Sequence, residues 1–136
     1  MTVTLLNPDT LCPPQGRYTH VAVATGTRIV SIAGQVGIRP DGTLAGADIG
    51  AQAAQAYANV GLALEAAGAT WRDVIRVGIF VTSDELLGDL AAARDAIYAD
   101  AFPDGPSTYP PGTLLVVRGL AHPDLLVEVE ATAVIA

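Results

Sequence analysis

The sequence predicts an α+β domain, a single one over residues 1–136, with one mixed β-sheet and two helices packed on one face. Three observations support this fold class. Short runs of alternating apolar and polar residues lie at both ends of the chain, two stretches of helical periodicity lie between them, and Gly- or Pro-containing turns separate the segments. The resulting order is β-β-β-α-β-α-β-β. One sheet face is then left free for another contact.

The first third of the chain predicts three strands. Residues 2–6 form a short edge strand, and residues 18–24 and 28–34 form a hairpin across Thr25-Gly26-Thr27. The second strand of this hairpin ends in Ala33-Gly34-Gln35. Small residues at this place either mark a bulge or let another group approach the backbone closely.

The middle of the chain predicts two helices around one strand. Asp48 caps a helix that runs to about Ala67, and its expected buried stripe is Ile49, Ala53, Ala56, Val60, Leu64 and Ala67. Thr82 with Glu85 forms a capping box that opens a second helix to about Ala101. The intervening strand, residues 74–81, is expected to place alternate side chains on one face: Ile75, Val77, Ile79 and Val81. The second helix is expected to bury Leu86, Leu90, Ala93 and Ile97. A rigid loop with four prolines follows.

The last stretch, Pro110–Val134, predicts two strands joined by Ala121–Asp124. In the second of them, apolar residues alternate with Glu128 and Glu130, so two carboxylates share one sheet face. Either this face is simply solvated, or it lines an interface or a pocket.

Composition excludes several classes of function. The chain has 14 acidic residues against seven arginines and no lysine, which gives a net charge of −7 and argues against a nucleic-acid partner. The lack of lysine also excludes Schiff-base catalysis. The single Cys12 and the lack of a long apolar run predict a cytoplasmic protein without a membrane partner. Only 15% of residues are charged, so we expect part of the surface to be buried against other copies of the chain.

Several short motifs occur together in a characteristic order. They are Tyr18-Thr19-His20, Ala33-Gly34-Gln35, Asp41-Gly42, Ala51-Gln52, Gln55-Ala56, Asn59-Val60, Leu64–Gly68, Phe80-Val81-Thr82 and Val127–Ala131. In this order and spacing the chain resembles the RidA (YjgF) family of enamine/imine deaminases over nearly its whole length. The resemblance implies a homotrimer with a fold like that of the small chorismate mutases and three small-molecule clefts between subunits. It also implies hydrolysis of reactive enamines and imines to carbonyl products and ammonia, without metal or organic cofactor.

The resemblance also assigns residues to the site. Tyr18 and Glu128 match the family's cleft tyrosine and its water-associated glutamate, and they are the expected catalytic pair. The expected substrate-binding positions are Ala33, Gly34, Asp95, Gly112, Thr113 and Leu114. At Gly112 the family carries the arginine that binds the substrate carboxylate, so this chain departs from the pattern at its principal anion-binding residue.

No other arginine is an obvious replacement. The chain has no cation between Arg94 and Arg118, and strand alternation predicts that Arg17 points away from Tyr18. A cleft with acidic residues and no arginine disfavours anions. We therefore expect generic 2-imino acids to be poor substrates, and the space at Gly112 to admit a bulkier or neutral ligand.

Four functional hypotheses follow from the sequence. The first is an imine or enamine hydrolase with an altered substrate range, and the second is a non-catalytic trimer that binds a small metabolite. The third is a ribonuclease, which the acidic composition disfavours, and the fourth is an enzyme specific for a larger neutral or aromatic imine. Glu128 is either a general base or a structural hydrogen-bonding residue. Tyr18 is either a proton donor or an interfacial aromatic.

Overall fold

The computed structural model describes residues 1–136 and contains six strands and two helices. Their bounds are β1 Thr2–Leu6, β2 Val21–Thr25, β3 Arg28–Val36, α1 Ile49–Ala66, β4 Val74–Val81, α2 Leu87–Ala101, β5 Gly112–Val116 and β6 Val127–Ile135. This order of elements is the predicted one, and the α+β class is confirmed. No helix combines the length and the apolar character that crossing a membrane requires.

Four strands form the main sheet in the order β3-β6-β4-β5. Strand β6 is antiparallel to β3 and β4, whereas β5 is parallel to β4, so the sheet is mixed as predicted. The chain therefore crosses over through α2 between β4 and β5, as a parallel pair requires. Strand β5 lies at the edge and is paired on one side only.

Both helices pack on the same face of this sheet, over the apolar residues of β4 and β6. The predicted buried stripe of α1 is confirmed for Ile49, Ala53, Ala56, Val60 and Leu64. Asp48 caps α1 as predicted, because its Oδ1 accepts a hydrogen bond from the Ala51 amide at 2.8 Å. The other face of the sheet has no helix over it.

The predicted hairpin between the second and third strands is wrong. Strand β2 pairs with β1 in a separate two-stranded sheet, and β3 pairs with β6 instead. The reason is the path of the connection: the Thr27 amide donates to the Ile135 carbonyl at 3.0 Å, and a Cβ on Gly26 would lie 2.7 Å from that oxygen. The chain thus passes against the end of β6 rather than folding back on itself.

Two smaller expectations also need correction. A register shift between Val74 and Arg76 buries Val74 in the core and leaves Ile75 half-buried. The predicted capping box of Thr82 and Glu85 at the second helix does not form. The Ser83 Oγ accepts a hydrogen bond from the Glu85 amide instead. A short 3₁₀ turn follows, and α2 begins only at Leu87.

Candidate functional site

Glu128 and Glu130 lie flat on the uncovered face of the sheet, each over a glycine of a neighbouring strand. A Cβ on Gly34 of β3 would overlap the Glu128 carboxylate, and a Cβ on Gly78 of β4 would lie 2.8 Å from the Glu130 Cγ and Oε1. Neither carboxylate forms an ion pair or a side-chain hydrogen bond within the protomer. We call the half-exposed Glu128 with Gly34 the glutamate trough.

The backbone of β3 is irregular at this trough. The pairing of β3 with β6 shifts register between Ile32 and Gln35, so Ala33 and Gly34 form a bulge. The Gln35 Nε2 donates to the Ala33 carbonyl at 3.2 Å. Both readings of the small residues are therefore correct here: they make a bulge, and they let the Glu128 side chain approach the backbone.

A buried glutamine fixes the approach to β6. Gln52 is fully buried on α1; its Nε2 donates to the Asp124 carbonyl at 2.9 Å and the Gly46 carbonyl at 3.0 Å. Its Oε1 accepts from the Leu126 amide at 2.8 Å. Because Leu126 comes directly before β6, these bonds set where the strand carrying Glu128 begins.

A separate cavity of about 300 Å³ lies beside the start of β5. It is lined by Gly16, Arg17, Tyr18, Ile79, Arg94, Gly112 and Leu114. A Cβ on Gly112 would have only the Val77 carbonyl near it, at 3.5 Å, which is an ordinary contact. The fold therefore does not require glycine at this position, and the missing side chain leaves open volume. We call this space the Gly112 cavity.

Arg94 reaches this cavity from the buried side of α2. It is 7% exposed, its Nη2 donates to the Tyr98 hydroxyl at 3.1 Å, and its guanidinium lies over the Tyr98 ring at 4.9 Å. Its Nε is buried without a hydrogen-bond partner, and no carboxylate pairs with it. A buried guanidinium without a counter-ion is costly, and Arg94 is the only charged residue among the buried ones.

Arg17 also lines the cavity, but it is already paired. Its Nε and Nη2 donate to the Asp95 Oδ1 at 2.7 and 2.5 Å. The neighbouring Thr19 is buried and donates to the Tyr109 carbonyl at 2.8 Å, which ties this segment to the loop before β5. Two guanidiniums and one carboxylate leave the cavity with one net positive charge.

The trough and the cavity lie on opposite faces of the main sheet. Gly112 pairs with Val77, whose side chain is buried under the helices, whereas Glu128 pairs with Phe80 on the uncovered face. Successive residues of β4 alternate between these faces. A single protomer therefore does not bring Glu128 and Tyr18 into one pocket.

Sequence comparisons agree with this fold over almost the whole chain. A family model described as Endoribonuclease L-PSP matches residues 10–135. The chain belongs to the RidA/YjgF family. It is 33% identical over 112 residues to the 2-iminobutanoate/2-iminopropanoate deaminase of Escherichia coli K12, which covers 82% of this chain and 83% of that protein. It is 30% identical to a RutC family protein of Synechocystis, over 99% of this chain and 98% of the relative.

Solved structures of RidA/YjgF proteins have the same fold. The Rid family protein YyfB of Yersinia pestis, whose function is unknown, superposes with a TM-score of 0.86 at 35% identity, covering 99% of this chain and all of that one. The YjgF protein of Escherichia coli superposes with a TM-score of 0.70 at 26% identity, over 96% and 98% of the two chains. Family membership and fold thus agree.

The residues that the RidA resemblance assigned to one site divide between the two regions. Tyr18, Gly112 and Leu114 line the Gly112 cavity. Asp95 does not line it but accepts hydrogen bonds from Arg17, which does. The rest lie on the uncovered face: Ala33, Gly34, Glu128 and Thr113. The Thr113 hydroxyl there is 3.4 Å from the Arg76 Nη2.

Two arginines of the cavity were missed by sequence reasoning. Residues 16–20 are not in a strand, so strand alternation does not apply, and Arg17 and Tyr18 reach the same space. Arg94 was overlooked because only apolar residues of α2 were counted as buried. The i, i+4, i+8 spacing of Leu90, Arg94 and Tyr98 was the available signal, since it places the arginine in the buried stripe.

Proposed function

We propose that this RidA/YjgF protein hydrolyses an imine or enamine to a carbonyl product and ammonia, in clefts between the protomers of a homotrimer. One observation carries the proposal. Glu128 is an unpaired carboxylate held over Gly34 on an uncovered sheet face, as expected of a residue that takes a proton from water. The similarity to a named iminobutanoate/iminopropanoate deaminase supports the reaction class.

The position of the two regions supports a site shared between protomers. Glu128 and the Gly112 cavity lie on opposite faces of one sheet, so a second copy has to supply the other half. Edge strand β5 exposes three consecutive apolar residues, Leu114, Leu115 and Val116, between 36% and 49% each. An unpaired apolar edge is typical of a strand that is covered by a partner. The partner that we propose is another copy of this chain.

The chemistry needs one water, and both of its protons end on the nitrogen. Glu128 accepts the first proton as the water oxygen bonds to the imine carbon and returns it to the nitrogen, which yields a neutral carbinolamine. Glu128 then takes the hydroxyl proton and passes it to the same nitrogen, so the carbon–nitrogen bond breaks and ammonia leaves as the carbonyl forms. In this proposal Tyr18, which lines the cavity, donates a hydrogen bond to the substrate. Hydrolysis of an enamine first requires a proton on its carbon, which converts it to the imine.

The Gly112 cavity changes the expected substrate range. The RidA resemblance places an arginine side chain at this position. In this chain the position is Gly112, and the cavity beside it has an open volume of about 300 Å³. A bulkier substrate than the smallest 2-imino acids therefore fits beside β5.

The test is ammonia release from imines that an amino-acid oxidase generates in the assay. Glu128→Gln should lower the rate by about 10²–10⁴-fold, the usual contribution of a general base. Glu130→Gln is the matched control, since it makes the same change over Gly78 on the same face, and it should retain most of the activity. If a broad imine panel gives no release above the uncatalysed rate, the hydrolase proposal fails.

The same preparation tests the assembly. A homotrimer sediments with three times the 13.9 kDa mass of one chain. Leu115→Glu introduces a charge into the exposed apolar edge without touching Glu128 or the cavity, so it should dissociate the trimer and abolish activity together. A wild-type protein that sediments as a monomer in dilute buffer contradicts the shared cleft.

A non-catalytic metabolite-binding trimer is the alternative that the geometry also permits. It predicts ligand-dependent thermal shifts without turnover. The ribonuclease activity in the description of the family model has less support from this chain, because 14 acidic residues oppose seven arginines. RNA cleavage that survives stringent purification would favour that activity.

A further inference from the structure

We infer that Arg94, entering from α2 into the Gly112 cavity, binds the carboxylate of the substrate in this protein. The inference rests on the proposed function and specifies its substrate class: a small organic carboxylate whose anionic end enters the cavity. The guanidinium thus comes from a helix, whereas the family resemblance places it at the start of β5.

The state of Arg94 is the first argument. The residue is buried, with 7% of its surface exposed, and its one hydrogen bond is from Nη2 to the Tyr98 hydroxyl. The Nε donor is buried and unpaired. A guanidinium is permanently charged and offers five donors in a fork that matches a carboxylate. In this protomer one of those donors is paired with Tyr98, and the buried Nε donor has no acceptor within hydrogen-bond distance.

The open volume is the second argument. Gly112 and Arg94 line the same cavity, and a side chain at position 112 would occupy part of the space between them and solvent. Because a Cβ there meets nothing closer than 3.5 Å, the backbone would tolerate other residues. The glycine therefore keeps a path open to a charge that would otherwise be sealed in.

The charge balance is the third argument. Arg17 carries a counter-ion, Asp95, and Arg94 has none, so one anion would neutralise the cavity. This balance argues against the sequence-based expectation that carboxylates bind poorly beside Gly112. The protein then accepts larger substrates, whose carboxylate reaches further into the cavity, and it keeps the preference for an anion.

The test measures binding of a stable product analogue, so that it does not depend on turnover. Calorimetry compares 2-oxobutanoate with its neutral methyl ester, and we expect the acid to bind at least tenfold more tightly. In Arg94→Met this preference should disappear, and in Arg94→Lys it should be partly kept, because a point charge replaces the fork. A purely structural role for Arg94 would weaken acid and ester equally.

A second variant tests the cavity without touching the arginine. Gly112→Leu fills the space beside β5 and should abolish binding of the acid while the thermal stability stays near that of the wild type. The matched controls are Gly88→Leu, where nothing lies within 4 Å of the added Cβ, and Arg72→Gln, which removes an exposed arginine elsewhere. Both should bind the acid as the wild type does.

The outcomes separate this inference from the proposed function. If acid and ester bind equally, if neither binds, or if Arg94→Met and Gly112→Leu keep the preference, Arg94 does not bind the carboxylate. Turnover that depends on Glu128 would still support the hydrolase. If instead the preference depends on Arg94 but no imine is hydrolysed, the carboxylate site stands and the proposed reaction fails.

Discussion

The glutamate trough and the Gly112 cavity are both made by a glycine, but the glycines serve opposite purposes. At Gly34 a Cβ would overlap Glu128, so the space is already filled by a side chain of this protein. At Gly112 a Cβ would be in ordinary contact, so the space is filled by nothing in the protomer. The trough presents a negative charge and the cavity a positive one. Under the proposed function, the glycine over the occupied space positions the general base, whereas the glycine beside the empty space admits the ligand.

The largest effect that separates these glycines is expected at the trough. Gly34→Ala should displace the Glu128 carboxylate and lower imine hydrolysis by about 10²-fold or more, because a general base acts only within hydrogen-bond reach. The fold should survive, at a cost of about 1–2 kcal/mol, because the side chain that must move is flexible. The measurement is kcat for ammonia release together with the urea midpoint.

Gly78→Ala is the control for this substitution. It places a methyl group under Glu130 on the same face, in the neighbouring strand. It should cost similar stability and leave kcat within a few-fold of the wild type. Equal losses of activity in both variants would mean that the sheet face, and not the position of Glu128, limits the reaction.

The next largest effect concerns the connection into β6. Gln52→Leu keeps the side-chain volume but leaves the Leu126 amide and the Gly46 and Asp124 carbonyls without their partner. Unfolding should then require about 3 kcal/mol less free energy, from three buried groups that lose a hydrogen bond. Denaturant unfolding at fixed protein concentration measures it.

Gln55→Leu, one turn along α1, is the matched control. Gln55 makes a single side-chain hydrogen bond, to the Asn59 Oδ1 at 2.9 Å. Its substitution should lower the free energy of unfolding by less than about 1 kcal/mol. A loss in Gln52→Leu as small as this would show that the three hydrogen bonds of Gln52 do not stabilise the segment before β6.

The same contrast explains how much of the molecule the sequence predicts. The periodicity of apolar residues and the chemistry of turns are local signals. They correctly predicted the order of elements, the Asp48 cap and most of the buried stripe of α1. The β2–β3 hairpin failed because the partner of β3 is β6, about a hundred residues away, and a local turn signal cannot report that competition.

The candidate site divides in a similar way. Motifs on β3 and β6 pointed to Gly34 and Glu128, and the structure brings these two residues together because the two strands are neighbours in the sheet. The cavity combines a loop, a helix and an edge strand, so no single periodicity links Arg17, Arg94 and Gly112. A polar residue in the buried stripe of a helix was the one local sign of it.

A smaller effect sharpens the charge contrast between the regions. Asp95→Asn removes the counter-ion of Arg17 and raises the charge of the cavity from one to two positive charges. Binding of 2-oxobutanoate should tighten roughly two- to five-fold, because an exposed carboxylate contributes up to about 1 kcal/mol. The gain should shrink as salt is added.

Asp104→Asn controls for the change in net charge. Asp104 pairs with Arg72, and its side chain is as exposed as that of Asp95, 65% against 67%, although Arg72 is 76% exposed and Arg17 only 25%. It should leave the affinity unchanged. A tightening of equal size in both variants would trace the effect to the overall charge of −7 rather than to the cavity.

The smallest effect lies beneath Arg94, at Tyr57. This residue is 2% exposed and its hydroxyl has no hydrogen-bond partner, so burial, and then the neighbouring Tyr98, raise its pKa well above the usual value of 10.0. Tyr57→Phe should therefore be neutral or stabilise the protein by up to about 1 kcal/mol at pH 8. Urea unfolding at fixed protein concentration measures this.

The pH dependence of that substitution has a definite sign. Above pH 10 the unfolded chain loses the Tyr57 proton while the folded protein retains it, so stability falls as pH rises, by up to ~1.4 kcal/mol per pH unit for one group. The Phe variant lacks this contribution, and its advantage over the wild type should grow between pH 8 and pH 11. Tyr98→Phe provides the contrast, because it removes the only hydrogen bond of Arg94 and should destabilise at both pH values. If Tyr57→Phe destabilises as much as Tyr98→Phe, the Tyr57 hydroxyl has a partner, and the layer under the cavity is polar rather than apolar.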